Sequence, residues 1–341
     1  MTLQNELAKI RQGKVSPVYL VTGTEQYLSD MFKKVLREQV LEDQDDEMNA
    51  IRFDMETTPI AIALDEARTL PFFGDRRLVQ IDNPYFLTGE RGKGGVVHDV
   101  EELIAYLQDP LETTVLVIYA PYDKLDNRKK IVKELKNKAV LISANTMKEK
   151  ETRQYVRQAI GDMGYAITPE ALEALFQLSN MDLSKIMGEL EKLFLYTSET
   201  KKITKPIVES LVPKSLEQNI FELVEFVMGR KLDKALTLHR ELLLSGEDSI
   251  KLNAILMQHF RLLIQVKIML EMGYQQSNIV DVLKVHPYRI KLAMGQVRRY
   301  QLKELGSIFD ELVENDLKFK TGQMDKELLF ELFLLKHGAK S

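Results

Sequence analysis

The chain has 341 residues, 45% hydrophobic and 29% charged, so it is too long for one ordinary core, suits two or three domains, and is too apolar for disorder. A formal net charge of -4 excludes a generally basic surface of the kind that neutralises phosphates, so any nucleic-acid contact has to be local or shared. The lack of cysteine excludes a disulfide framework, thiolate metal sites and cysteine nucleophiles, and it fits a cytoplasmic setting.

The opening MTLQNELAKIRQGK carries acids and amides where a signal peptide needs an apolar core. No later stretch stays apolar for the ~18 residues of a membrane span, so neither secretion nor insertion is expected. From Pro17 to Ala144, five β-rich runs alternate with four helical patterns, which predicts an α/β domain with a largely parallel sheet. The runs are 17–23, 51–54, 78–82, 114–120 and 139–144, and the helical patterns are 27–41, 59–70, 100–108 and 127–135.

The first strand, turn and helix, VYLVTGTEQYLSDMF, falls where a P-loop NTPase carries Gly-x4-Gly-Lys-Ser/Thr: backbone amides for the phosphates, a lysine to neutralise them and a hydroxyl for magnesium. Counted from Gly23, the last three positions are Leu28, Ser29 and Asp30, so the cradle is missing and Asp30 would repel phosphate. The motif alone leaves open an ordinary turn that never bound nucleotide. The acidic run 42–47 lacks the glycine and terminal glutamate of a calcium loop and reads as a solvated turn.

Leu70-Pro71-Phe72-Phe73-Gly74-Asp75-Arg76-Arg77 sets adjacent phenylalanines between a helix-ending proline and a turn-permitting glycine. Two accounts are open. In one, the rings sit at a loop tip and anchor a partner; in the other, they cap the bottom of the sheet. The third run ends at Asp82-Asn83, where related folds carry an Asp-Glu pair for magnesium and water; with one carboxylate, a turn former is the favoured reading. The segment Gly89-Glu90-Arg91-Gly92-Lys93-Gly94-Gly95 has the wrong spacing for a phosphate loop and reads as flexible surface.

After Asn145 the β-rich runs stop and amphipathic helices take over, with Thr168-Pro169-Glu170-Ala171 as one clear helix start and a second break near Val212-Pro213-Lys214. From Leu216 onward, long patterns such as LDKALTLHRELLL and IKLNAILMQHFRLLIQVKIMLEMG predict a helical bundle. The five histidines, His98, His239, His259, His286 and His337, show no metal spacing, and His259 reads as a packed core residue. No catalytic constellation stands out.

Four segments, VYLVTGTEQYL, EARTLPFFGDRRLVQIDN, MDLSKIMGELEKLFLY and NDLKFKTGQMDKELLFEL, resemble in order and spacing the delta subunit of the bacterial DNA polymerase III clamp loader, of the Gram-positive type, over essentially the whole chain. The resemblance implies an α/β plus all-α protein of three domains. These are an AAA+-like (RecA-like) parallel-sheet domain over 1–145, a small helical lid over 146–212 and a helical collar over 213–341. It implies a non-catalytic subunit, with no cofactor, that binds and opens the beta sliding clamp for loading onto primed DNA. Its partners would be the tau/gamma and delta prime subunits through the collar, and primer-template DNA within the complex. It would have no membrane contact and would be cytoplasmic, at the nucleoid and replisome.

In that family a hydrophobic pair wedges into a pocket of the clamp; the matching positions are Phe72 and Phe73, with Leu70 beside them and Asp75, Arg76 and Arg77 as a polar rim. Gly23, Leu28, Ser29 and Asp30 form the degenerate nucleotide site. The lid position that senses nucleotide through an arginine in AAA+ proteins holds Ser184, with Lys185 next to it, and Pro121-Tyr122-Asp123-Lys124-Leu125 lacks the Ser-Arg-Cys element that supplies an arginine finger. Lys318, Lys320 and Thr321 match a basic element near the primer-template, against a solvated helix end, which the acidic total charge favours. A DNA-directed DNA polymerase activity would belong to the holoenzyme, since no carboxylate pair for two metals is seen. Two other readings compete: an active AAA+ ATPase subunit of a replication or remodelling complex, opposed by the missing Lys-Thr pair, and a helical scaffold with an unrelated α/β domain.

Overall fold

The computed structural model describes residues 3–41, 46–72, 74–90 and 95–338, the side chains of Asp46 and Glu47 excepted. Phe73, most of the acidic run and Arg91 to Gly94 therefore lie outside the described residues. The chain divides into two compact units, Met1–Met147 and Lys148–Ser341.

The first unit runs α1 (Leu3–Arg11), β1 (Val18–Thr22), α2 (Gln26–Val40), β2 (Ala50–Asp54), α3 (Ile60–Ala67), β3 (Arg77–Asp82), α4 (Val100–Gln108), β4 (Thr114–Ala120), α5 (Lys130–Lys138) and β5 (Val140–Ser143). All five strands are parallel, in the order β2-β3-β4-β1-β5. Parallel strands need crossovers, and the crossover helices cover both sheet faces, so central strands become apolar throughout. Accordingly, all seven residues of TVLVIYA in β4 are buried. Alternation within β1 then sorts the layers: Val18 and Leu20 pack with Leu64, Leu103 and Leu135 of α3, α4 and α5, while Tyr19 meets Phe32 of α2 edge-on at 5.3 Å.

Helix α1 was not expected from the sequence. Four of its nine residues, Leu3, Glu6, Leu7 and Ile10, are buried, the helix packs on α2, and its glutamate is paired with Lys9 at 2.9 Å. Helix α3 ends at Ala67 with Arg68 as its cap, three residues short of the expected Leu70, which as the residue before Pro71 is itself disfavoured from the helical region.

The second unit begins with α6 (Glu149–Asp162), β6 (Ala166–Ile167), α7 (Pro169–Leu178), α8 (Leu183–Tyr196), β7 (Lys202–Ile203) and α9 (Lys205–Leu211). The two-residue parallel pair β6 and β7 is a small addition to the nearly all-helical reading after Asn145. Thr168 caps α7, its hydroxyl accepting the Ala171 N–H at 3.2 Å, with Pro169 at the first helical position as the sequence implies.

There follow α10 (Leu216–Met228), α11 (Leu232–Leu244), α12 (Ser249–Glu271), α13 (Gln276–Leu283), α14 (Pro287–Val297), α15 (Leu302–Thr321) and α16 (Lys326–Gly338). The long α12 is the axis of this bundle, packed against α10, α14, α15 and α16, with Leu252, Leu256, Phe260 and Leu263 in the core. On the outside, α15 and α16 leave an apolar row exposed: Val313 and Leu317 on one helix, and Leu328, Leu332 and Leu335 on the other.

His259 of α12 donates from Nε2 to Oε1 of buried Gln296 at 2.9 Å, and Gln296 in turn donates to the Phe221 carbonyl. Desolvation pushes the imidazole down to about 4, against the weaker opposing pull of the Gln296 hydrogen bond. The folded state thus disfavours protonation. The associated stability is complete above about pH 6.5, where the unfolded-state histidine is neutral, and drains away as pH falls toward 4; one site of this kind is worth at most about 3 kcal/mol. Urea titrations at pH 7.5 and pH 4.5 are expected to show a smaller acid loss in His259→Gln than in the unmodified chain; equal losses would remove His259 from the account.

Candidate functional site

Two places in the first unit hold the residues singled out by the sequence. The first is the loop between α3 and β3. Thr69 stays tied to the helix end, its N–H donating to the Glu66 carbonyl at 3.1 Å and its hydroxyl to the Asp65 carbonyl at 3.0 Å. Beyond it the chain turns into solvent: Leu70 is 65% and Phe72 69% exposed, and Gly74 takes a left-handed φ of 71° that turns the chain back. Of the two accounts of the phenylalanine pair, exposure at a loop tip holds for Phe72. Phe73 is not among the described residues.

Asp75 is exposed and Arg76 half-buried beside this tip. Arg77 corrects the expectation of a third rim residue: only 3% exposed, it begins β3, and its guanidinium pairs with Glu66 on α3. The first strand residue lies under the helix that precedes the loop, so its side chain turns inward. The Phe72 N–H donates at 2.7 Å to Oδ1 of Asn49, a fully buried residue just before β2. Sequence reasoning missed Asn49 and Glu66, and nothing in their local patterns marks them.

The second place is a cleft of about 400 Å³ at the carboxyl ends of the strands, lined among others by Gly23, Ser29, Asp30, Lys33, Arg52 and Asp82. Open α/β sheets bind ligands at such edges, but this one differs in chemistry. Leu28, standing where the second P-loop glycine would be, is buried with Phe32, Val35 and Leu36 on the core face of α2, and Ser29 takes the place of the lysine. Asp30 is exposed, with Lys33 3.7 Å away, and the Lys33 ammonium also lies 4.5 Å above the Tyr119 ring. Asp82 is more than the turn former favoured from the sequence: its carboxylate accepts from the Arg52 guanidinium, and this hydrogen bond raises the arginine further above its ordinary value. The turn itself belongs to Asn83, at φ 50°, whose amide donates to Asp54 at 3.2 Å. Acid and base in this cleft are thus largely paired with each other.

Gly23 has a reason of its own. At φ 116°, a Cβ there would stand 2.3 Å from the Ala144 carbonyl carbon and oxygen and 2.5 Å from the Asn145 nitrogen, because β1 and β5 converge at their ends. In the second unit, Ser184 and Lys185 open α8, where the Asp182 carboxylate caps the Lys185 N–H at 2.9 Å. Lys318 and Lys320 lie in the last turn of α15 with Thr321 at its end. Lys320 is bound to Asp316 at 2.7 Å and the Thr321 hydroxyl to the Leu317 carbonyl at 2.9 Å, so both side chains have partners on their own helix. No cluster of three or more potential metal ligands is found among the described residues.

Residues 19–145 match the family model for the DNA polymerase III delta subunit, and residues 217–337 match that for its C-terminal domain. Residues 148–210 match a model described as a middle domain. DNA polymerase III subunit delta of Bacillus subtilis (strain 168) is 42% identical over 327 residues, spanning 96% of this chain and 94% of that protein. The chain belongs to the DNA polymerase III delta subunit family. The solved Bacillus subtilis DNA clamp loader delta protein shares its fold at a TM-score of 0.81 with 41% identity, covering 98% of this chain and 99% of the other. The probable DNA polymerase III subunit delta of Aquifex aeolicus (strain VF5) is 24% identical over 296 residues, 84% of this chain and 81% of that one. The α/β unit of this delta-family chain is AAA+-like, as expected. No described helix of it is long and apolar enough to cross a membrane.

Proposed function

We propose that this delta-family chain is a non-catalytic clamp-loader subunit that docks on the beta sliding clamp through Leu70, Phe72, Phe73 and Arg76, and holds the clamp open for loading onto primed DNA. The observation that carries it is Phe72, a large aromatic ring in solvent on a loop whose backbone is hydrogen-bonded in place. Rigid aromatic anchors at exposed positions are typical hot spots, since they bury much area for little lost entropy. The three-domain division, with residues 213–341 as the collar that joins the tau/gamma and delta prime subunits, is part of this reading, as is a replisome-associated place in the cytoplasm. The exposed row on α15 and α16 suits such assembly. Primer-template contact at Lys318, Lys320 and Thr321 is a minor, shared element, given the partners two of these side chains already have.

Nucleotide binding is left to the partners. Ser29 in place of the lysine and the Arg52–Asp82 pair support this, because they remove the cation and occupy the carboxylate that an ATPase would use. Two measurements test the reading together. The full chain is expected to retain the cognate clamp in a pull-down and to give no heat with ATP in calorimetry. Micromolar ATP affinity would favour the ATPase alternative, and failure to retain the clamp would remove the docking assignment.

A further inference from the structure

Asn49 is fully buried, although asparagine is mostly a surface residue. A buried side-chain amide is unfavourable unless its hydrogen bonds are made, so its partners say what it is for. Its Oδ1 reaches across to a residue 23 positions away and takes the N–H of Phe72 at 2.7 Å. The bond therefore ties down the backbone at the residue whose ring is largely in water. The foot of the same loop is fixed separately: Arg77, buried, pairs with Glu66 at the end of α3, and its N–H donates to the Thr113 carbonyl at 2.8 Å. Fixing the loop in advance lowers the entropy lost when it binds.

We infer that Asn49 is a positioning residue for clamp docking, its buried carbonyl holding the tip at Phe72 in the binding conformation. This rests on the docking reading above. The test compares Asn49→Ala, Asn49→Asp and Phe72→Ala in the full chain, measuring affinity for the cognate clamp, thermal midpoint, and amide exchange at Phe72. Asn49→Ala is expected to bind about tenfold more weakly, ~1.4 kcal/mol, with faster exchange at Phe72. Asn49→Asp keeps the acceptor and should stay within about threefold of the unmodified chain with slow exchange. A purely structural role would lower the thermal midpoint and leave the affinity of the folded fraction unchanged, which overturns the inference. If Asn49→Ala does not fold, Asn49→Ser replaces it, its shorter side chain removing the same acceptor from reach. Native affinity in Asn49→Ala with weakened binding in Phe72→Ala defeats the positioning role alone, whereas native affinity in both defeats the docking reading as well.

Discussion

Truncating Phe72 and Phe73 together to alanine is expected to lower clamp affinity by roughly two to three powers of ten, allowing for non-additivity between two anchors that each commonly contribute ~2 kcal/mol or more. The thermal midpoint should move by no more than a few degrees, since Phe72 is largely in solvent and surface truncations usually change stability within about 0.5 kcal/mol. The two measurements have to be made on the same variant. A protein that melts early but, where folded, binds the clamp normally would mean that the rings serve the fold and that the docking surface lies elsewhere.

The second large effect runs the other way, on stability with little bearing on partners. Gly23→Ala should lower the midpoint of the first unit by about 10 °C or more, combining ~1–3 kcal/mol of backbone strain with ~1–3 kcal/mol of overpacking. The new methyl group would fall within 2.5 Å of three backbone atoms of Ala144 and Asn145, and backbone at the end of a sheet strand cannot step aside as a side chain can. A midpoint within a degree or two of the parent would show that β1 and β5 separate more easily than their registered pairing implies. This glycine is required by the convergence of two strands whether or not a nucleotide ever lay beside it, so its presence at the position where a P-loop starts says little about phosphate.

The α/β half was legible because its signals are local. Five β-rich runs map onto five strands, with β4 matching end to end, since a strand covered on both faces must be apolar throughout and has nothing else to resemble. Helix α1 was hidden, because a nine-residue helix with four buried positions gives a weak pattern and its burial depends on a partner helix. The tip was legible from its punctuation, a proline, two aromatic residues and a glycine. What holds the tip was not. Asn49 and Phe72 are brought together by the fold, and Arg77 looks like a neighbour of Arg76 until the strand boundary between them leaves one half-buried beside the tip and the other under α3. The Arg52–Asp82 pair shows the same limit: it follows from β2 lying next to β3 in a register that sets Asp54 opposite Asp82, which no local spacing encodes.

The exposed row of Val313, Leu317, Leu328, Leu332 and Leu335 bears on how the cell must handle the polypeptide. Five aliphatic side chains on two neighbouring helices form the kind of surface that chaperones and quality-control proteases sample, and that drives aggregation when it stays bare. Copies made in excess of the partners that would cover this row are the ones exposed to removal. If partner subunits cover this row, overproduction alone is expected to yield a shorter-lived protein than co-production with them, and equal lifetimes would leave the row without that role.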